Sequence, residues 1–164
     1  MGRWRAPAPK SSPYITEAGF DGLQVELKSL WARRRDVVQA LADAAAEGDR
    51  SENAEYIYRK KELGGIDRRI RYLQKRLPAL TVVRKFANAD AAYFGAIVEL
   101  SDEAGETHRY RIVGPDEADP DSASISLDSP VARALLGKTV DDTVIIETPE
   151  QSKKMTVIAI GYPP

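Results

Sequence analysis

Two stretches of this sequence carry apolar residues at alternating steps of three and four, which is the repeat of coiled-coil helices. The first seam consists of Phe20, Leu23, Leu27, Leu30, Val37, Leu41 and Ala44. The second seam consists of Tyr56, Leu63, Ile66, Ile70, Leu73 and Leu77. Because only a short polar turn separates them, we expect the two helices to fold back as an antiparallel hairpin.

The ends of both helices carry residues that are typical of helix boundaries. Thr16 is a candidate N-cap for the first helix, and Gly48 is placed to end it. Ser51 is a plausible cap for the second helix, Asp49 is a second candidate, and Pro78 follows its end. About 28 residues per helix would give an arm of roughly 40 Å.

Two arginines occupy seam positions that are otherwise apolar. Folding about residue 50 pairs Leu30 with Ile70 and Val37 with Leu63, while Arg34 and Arg59 each face an apolar partner. We expect both guanidinium groups to extend along the seam and reach water.

After Pro78 the apolar residues alternate with a period of two, which is typical of β-strands. The segments with this pattern are residues 81–84, 95–100, 107–113, 123–127, 143–147 and 155–160. A short helix is predicted from Pro130 through Leu136, with Gly137 after its end. The prediction is an α+β chain with a tail at 1–13, a coiled-coil hairpin at 14–80, and an antiparallel β domain with one short helix at 81–164.

Composition excludes several classes of protein. The 164 residues contain no cysteine and one histidine, which excludes disulfides, thiol catalysis and Cys- or His-rich metal clusters. No apolar run approaches the roughly 18 residues of a membrane span. The first residues are basic and rich in Pro and Ser, without the apolar core of a signal peptide, so a disordered tail is expected.

Charge is distributed unevenly along the chain. Residues 1–78 hold 16 Lys/Arg against 11 Asp/Glu, whereas residues 79–164 hold 8 against 14. The two parts therefore carry net charges of +5 and −6, although the whole chain carries only −1. This contrast favours two domains with different roles.

The turn between the helices carries two carboxylates three residues apart, Asp49 and Glu52. Such a pair can share Mg²⁺, which prefers oxygen ligands, but the site would be incomplete without ligands from a partner. The alternative is that both acids only cap the second helix and interact with its dipole, which on spacing alone is the commoner role. The spacing leaves both readings open.

The second helix carries a group of basic residues beside its apolar seam. Lys61, Arg68 and Lys75 lie seven residues apart and therefore share one stripe, which could attract the phosphates of RNA. The candidate RNA-binding residues are Lys60, Lys61, Arg68, Arg69 and Lys75. The alternative is an ordinary solvated face, since the first helix offers opposing acids. Tyr58 could stack on a base, whereas Tyr56 lies on the seam and is expected to pack.

The sequence contains no pattern for a complete active site. It has no glycine-rich phosphate loop, no G-x-S-x-G turn, and no spacing that indicates a nucleophile with its base. His108 lies within a predicted strand, where a surface or cross-strand role is expected. We therefore expect the chain not to be an enzyme by itself.

Several motifs in order resemble one bacterial family. GDRSENAEY in the turn, YRKKELGGIDRRIRYLQKRL in the second helix, then GAIVEL, THRYRIVGPDEAD and ISLDSPVARALLGK are similar to the Gre family of transcript-cleavage factors. The likeness covers about residues 14–162. Within the family, the arginine after Asp49 and the run IDRRIRYLQKRL are more similar to the GreB branch than to the GreA branch. The longer N-terminal tail and Gly64-Gly65 within the second helix depart from the family pattern.

The resemblance implies a fold and an activity. Members combine the coiled coil with an FKBP-like domain that lacks isomerase function, and they insert the coiled coil into the secondary channel of RNA polymerase. Tip carboxylates, here Asp49 and Glu52, help to hold a second Mg²⁺ so that the polymerase hydrolyses backtracked nascent RNA. By the same match, Ser51, Asn53 and Tyr56 would support the tip.

The resemblance also implies partners. A polymerase-docking surface is expected around the short helix, with Ser129, Pro130, Arg133 and Leu136. The expected partners are RNA polymerase and the 3′ end of nascent RNA, and a monomer in the bacterial cytoplasm is expected, with no membrane. Two alternatives stay open: a channel-binding regulator that does not stimulate cleavage, and a coiled-coil nucleic-acid binder that acts without polymerase.

Overall fold

The computed structural model describes residues 10–48, 53–87 and 89–164. The chain divides into two compact units: residues 20–80 form one, and the residues up to 19 together with 81–164 form the other. The α+β prediction, a helical region followed by a β-sheet domain, is confirmed. The predicted hairpin begins at residue 14, but residues 14–19 belong to the unit that holds the sheets.

Two long helices form the helical hairpin. Helix α1 spans Glu17–Ala46 and helix α2 spans Ala54–Arg76. The hydroxyl of Thr16 accepts a hydrogen bond from the Gly19 amide at 3.1 Å, which confirms Thr16 as the cap of α1. The prediction for α2 was wrong, because its N-cap is Asn53 rather than Ser51 or Asp49.

The hairpin packs through the apolar residues of the two seams. Val37, Ile66 and Ile70 are buried, and Leu27, Leu30 and Leu63 pack against them. This cluster contains both residue pairs, Leu30 with Ile70 and Val37 with Leu63, that the antiparallel prediction brings together. Burial of an aliphatic side chain contributes about 1.5–3 kcal/mol, so this cluster is a main source of hairpin stability.

Ion pairs cross between the helices in antiparallel order. Arg69 binds both carboxylate oxygens of Glu26 at 2.7 and 2.9 Å, and Arg34 lies 2.7 Å from Asp67. Arg34 reaches water as expected, with 37% of its side chain exposed, and it also binds a carboxylate on the facing helix, which the sequence did not predict. Arg59, the other seam arginine, likewise binds acids.

A second charged group links α1 to α2 nearer the tip. Arg33 donates to Glu62 at 2.5 and 2.8 Å. Arg59 donates to Glu62 at 3.0 Å and to Glu55 at 2.7 Å. Glu62 thus accepts hydrogen bonds from both helices, and it is the centre of this group.

The other unit contains two β-sheets and a short helix. Strand β1 (Tyr14–Thr16) pairs in parallel with β2 (Thr81–Val83). The larger sheet has the order β5-β4-β3-β7-β6. Its elements are β3 (Ile97–Ser101), β4 (Thr107–Val113), β5 (Ser124–Ser126), α3 (Pro130–Leu135), β6 (Thr143–Glu147) and β7 (Ser152–Gly161). Its strands are antiparallel, as predicted, except that β4 and β5 run parallel.

One face of the larger sheet carries the core of this unit. Its buried residues include Val98, Leu100, Ile112, Val144, Ile146, Met155 and Val157. Ala132 and Leu135 of α3 belong to the same cluster. Successive strand residues point to opposite faces, so Ile97, Glu99, Arg109 and Arg111 lie on the face away from this core.

The segment before α1 is bonded into the sheet unit. The amide and hydroxyl of Thr16 donate to the two carboxylate oxygens of Glu117 at 2.6 and 2.5 Å. The amide of Thr81 donates to the Pro13 carbonyl at 2.8 Å, and the Ser12 amide donates to Asp128 at 2.8 Å. Residues 12 and 13 therefore belong to the folded unit, contrary to the expectation that the whole segment 1–13 is disordered.

Glycine is required where β1 meets β4. A Cβ on Gly114 would lie 2.0 Å from the Tyr14 carbonyl oxygen, which is far inside van der Waals contact. Any other residue would force β1 away from the end of β4.

The acid stability of the hairpin should depend on Glu62. Its pKa lies below the ordinary value of 4.5, first because Arg33 donates a side-chain hydrogen bond to the carboxylate and also because Arg59 does, while burial acts in the opposite sense. A lowered pKa means that the carboxylate stabilises the fold above 4.5, and that this contribution is lost as the pH falls through the lowered pKa. Glu62→Gln should therefore lower the thermal midpoint at pH 7 and flatten its fall below pH 5.

Thermal unfolding followed by circular dichroism from pH 7 to pH 3 tests this. Asp36→Asn is the matched control, because Asp36 is an exposed acid of α1 with no hydrogen bond or ion pair to a described residue. If the Glu62→Gln and wild-type curves stay parallel into the acid range, Glu62 does not carry this dependence.

Candidate functional site

Asn53 joins the two helices at the tip of the hairpin. Its side-chain nitrogen donates to the Ala44 carbonyl at 2.8 Å, in the last turn of α1. Its side-chain oxygen accepts from the Tyr56 amide at 3.1 Å, in the first turn of α2. A side-chain amide suits this position because it donates and accepts at once. The contacts fix the start of α2 against the end of α1 and so hold both ends of the connecting segment.

The predicted catalytic and metal-binding residues lie in that connecting segment. Asp49, Ser51 and Glu52 fall outside the described residues, so their roles stay predictions. Of the predicted tip-supporting residues, Asn53 makes the two bonds above, and Tyr56 is half-buried with its amide held by Asn53. Sequence reasoning placed Asn53 at the tip but missed that it is the cap. The signal was its position immediately before the helical residues of α2.

The aromatic and acidic residues after the tip have partners within α2. Tyr58 is 59% exposed, and the Arg59 guanidinium carbon lies 5.4 Å from the centroid of its ring. One face of this ring therefore already interacts with a cation, which leaves the other for stacking. Glu55 pairs with Arg59 at 2.7 Å.

The predicted RNA-binding residues separate into two groups. Lys60, Lys61, Arg68 and Lys75 are exposed, and none of them makes a hydrogen bond or ion pair with a described residue. Arg69 instead makes the bidentate pair with Glu26 across the hairpin. Arg69 is therefore primarily a helix-to-helix contact, whereas the other four present unpaired charge to solvent.

The predicted docking residues surround the short helix α3. The Ser129 hydroxyl accepts from the Ala132 amide at 3.2 Å, and Pro130 opens the helix. Ala132 and Leu135 face the core, whereas Arg133 and Leu136 are exposed. The helix thus presents one basic and one apolar side chain outward from a rigid base.

Asp128, just before this helix, was missed by sequence reasoning. Both its oxygens accept hydrogen bonds from Ser12: one from the Ser12 amide at 2.8 Å and one from the Ser12 hydroxyl. The residues are 116 positions apart, so no local pattern could have indicated the contact. It anchors the loop before α3.

One group of potential metal ligands lies at the β3–β4 turn. Ligand atoms of Asp102, Glu106 and His108 lie within 4.8 Å of one another. One Asp102 oxygen accepts from the Ala104 and Glu106 amides, and the other lies 2.9 Å from His108 Nε2. The hydrogen bond from His108 is the first reason why the pKa of Asp102 is lowered. These contacts hold the β3–β4 turn in place, so the group has a structural role. This role agrees with the cross-strand role expected for His108.

None of the helices in the described part of the chain has the length and apolar composition that crossing a bilayer requires.

Comparison with known families matches both parts of the chain. Residues 13–82 match the family described as "Transcription elongation factor, N-terminal". Residues 87–162 match the family described as "Transcription elongation factor, GreA/GreB, C-term". Together these matches span nearly all of both units.

Individual relatives agree with the family matches. The chain is 57% identical to a protein of Xanthomonas axonopodis pv. citri named transcription elongation factor GreB, over 99% of this chain and 98% of the relative. It is 53% identical to the Pseudomonas aeruginosa protein of the same name, over 100% and 99%. The solved structure of Thermus aquaticus Gfh1 is 28% identical, covers 92% of this chain and 99% of its own, and superposes with a TM-score of 0.43. The chain therefore belongs to the GreA/GreB family of transcription elongation factors.

Proposed function

We propose that this elongation factor stimulates RNA polymerase to hydrolyse backtracked nascent RNA, and that it does so through the tip of its hairpin. The observation that carries the proposal is the Asn53 bridge, which brings the ends of α1 and α2 together on either side of the segment with Asp49 and Glu52. An arm that carries acids between two joined helix ends is suited to complete a site that belongs to a partner.

The two acids have the chemistry for Mg²⁺. Asp49 and Glu52 supply carboxylate oxygens, the ligands that Mg²⁺ prefers, and two such groups leave its remaining positions for water and phosphate. When bound, such an ion stabilises the charge that develops on phosphate oxygens during hydrolysis. Two carboxylates alone cannot enclose the ion, so tight binding to the isolated factor is not expected. The proposal places the complete site only in the complex with polymerase.

Each remaining feature has a role in this proposal. The exposed cations Lys60, Lys61, Arg68 and Lys75 would attract the phosphates of the extruded transcript. Arg133 and Leu136 on α3 would contact the polymerase. The factor would work as a monomer in the bacterial cytoplasm, with its hairpin in the secondary channel of the polymerase.

A second candidate is a regulator that binds the same channel without stimulating cleavage. It shares the hairpin and the docking surface, and it differs in what the tip contributes. The Asp-x-x-Glu pair at 49 and 52 favours the cleavage factor, because a regulator that only occupies the channel needs no pair of metal-binding acids. The exposed cations of α2 would also suit a nucleic-acid binder that acts without polymerase; binding to bare RNA as tight as to the RNA-bound polymerase would favour that candidate.

Replacing the two tip acids should separate binding from cleavage. Changing an outer-shell residue of a metal site already costs on the order of 10–100-fold. Asp49→Asn with Glu52→Gln should therefore reduce stimulated cleavage by at least about that factor, because both ligands lose their charge. Gel analysis of RNA from backtracked complexes, with polymerase binding measured in parallel, tests this. Glu47→Gln is the matched control, as an exposed acid at the end of α1.

The cleavage-factor proposal fails if the double variant cleaves as well as the wild type. Loss of polymerase binding in the double variant would instead assign the acids to docking.

Substitutions of Asn53 distinguish capping from bridging. Asn53→Ala removes both bonds and should destabilise the hairpin by about 1 kcal/mol, the usual effect of losing a cap. Asn53→Asp keeps an acceptor for the Tyr56 amide but loses the donor to Ala44, so it should retain most of the stability. If the bridge positions the acids, both variants should reduce stimulated cleavage more than polymerase binding. Cleavage by Asn53→Asp at the wild-type rate would show that the cap alone suffices.

The exposed cations should matter most when much RNA is extruded. Replacing Lys61, Arg68 and Lys75 by Gln should weaken action on deeply backtracked complexes more than on complexes backtracked by a few nucleotides, because a longer transcript reaches more of the stripe. Cleavage rates for both kinds of complex at several salt concentrations test this. Lys28→Gln with Arg35→Gln provides the control, since these exposed α1 cations have the same seven-residue spacing. Equal losses for both complexes would assign the stripe to protein docking.

A further inference from the structure

Two arginines on the sheet face away from the core have no acidic partner. Arg109 and Arg111 are two residues apart on β4 and therefore point to the same face. Neither side chain makes a hydrogen bond or ion pair with a described residue. The Arg111 Nε is buried and without a hydrogen-bond partner. A buried charged donor that is left unsatisfied is costly, and an anion bound to the same guanidinium group would offset part of that cost.

Both arginines line a surface cavity of about 280 Å³. The other lining residues are Ile97 on β3 and Ser122 and Ala123 in the turn before β5. The turn is held against β4 because the Arg111 amide donates to the Ala123 carbonyl at 3.0 Å. Ala123 has a φ of 55°, a left-handed conformation that closes the short helical turn at Pro120–Ser122. The cavity wall is thus a fixed part of the fold.

The neighbouring acids form no ion pair with the arginines of this site. Glu99 is the Cα partner of Arg109 in the β3–β4 ladder, yet it forms no ion pair with either arginine. It lines an adjoining depression with Ala159 and Tyr162, and Arg109 lies between that depression and the cavity because it lines both. Asp119 in the adjoining turn accepts the Asp121 amide at 3.0 Å, and neither of these acids lines the cavity. The cavity therefore keeps two positive charges in a unit that is otherwise rich in acids.

We propose that this cavity binds a small oxyanion of the phosphate type. A planar guanidinium group offers parallel N–H donors that match two oxygens of a phosphate, and two such groups on one strand face can bind the same anion from different sides. Cavities for larger ligands run from about 300 to 1,000 Å³, so this one fits a single phosphate group or a short chain of them. The proposal concerns the sheet unit and is independent of the role proposed for the hairpin.

The full-length protein can be titrated with inorganic phosphate at constant ionic strength, with chloride as the compensating anion. Amide signals of residues 97, 109, 111, 122 and 123 should shift along a saturating curve in two-dimensional NMR spectra. Arg109→Gln with Arg111→Gln should weaken binding by about tenfold or more, because both charged donors are lost. Arg111→Lys should weaken phosphate binding by less, because lysine keeps the positive charge and loses only the paired N–H donors of the guanidinium group.

Lys154→Gln is the matched control for charge on the same face. Lys154 is the partner of Ile145 on β6, and its strand register places it on the face of Arg109. The Lys154→Gln variant should bind phosphate as tightly as the wild type does. Pyrophosphate and a nucleoside diphosphate distinguish the sources: tighter binding of the nucleotide indicates the phosphate group of a larger molecule, whereas tighter binding of the simple anions indicates a free ion.

Three results would overturn the proposal. They are shifts that grow linearly without saturation, unchanged binding by the double arginine variant, and a loss in Lys154→Gln as large as that in Arg111→Lys. If Arg111→Gln perturbs amide signals throughout the sheet, Arg109→Gln and Arg111→Lys decide the question alone, since Arg109 is exposed and lysine preserves charge at 111.

Discussion

The side-chain amide of Asn53 bonds both helices of the hairpin, and the geometry of the tip depends on it. Its contacts to the Ala44 carbonyl and to the Tyr56 amide hold the end of α1 and the start of α2 together. The entropy of bringing these two helix ends together is therefore lost when the hairpin folds, and not again when a partner binds.

Charge in the hairpin serves two separate purposes. Arg33, Arg34 and Arg69 bind acids on the facing helix, whereas Lys61 and Arg68 have no such partner among the described residues. Exposed ion pairs contribute only about 0–1 kcal/mol each, so the cross-helix pairs set the register of the hairpin more than its stability. The apolar cluster supplies the stability. The unpaired cations are then available for a polyanion without loss of structure.

Much of the fold could be predicted from the local periodicity of apolar residues. The features that could not be predicted depend on contacts between residues far apart in the sequence. The strands at 107–113 and 143–147 were predicted to the residue, because half-buried strands alternate strictly. The three-residue strand at 14–16 was missed, because it is too short for a period and pairs with a strand 67 positions later. The parallel β4–β5 pair was missed since pairing direction leaves no local trace. In the site, Arg69 shows the same limit: its role depends on Glu26, 43 residues away.

Gly64 and Gly65 make helix α2 less stable than the packing of the hairpin would allow. Both lie within α2, and a Cβ at either position would meet only the end of the Arg68 side chain, at 3.5 and 3.8 Å. Alanine would therefore fit at both positions, so close packing within the hairpin does not require glycine there. Each glycine costs a helix about 1 kcal/mol relative to alanine. The Arg33–Glu62 and Arg34–Asp67 pairs lie on either side of this point. The side-chain contacts that join α2 to α1 thus flank the stretch where its backbone is intrinsically least helical, and they hold α2 as one continuous helix from the tip to Arg76.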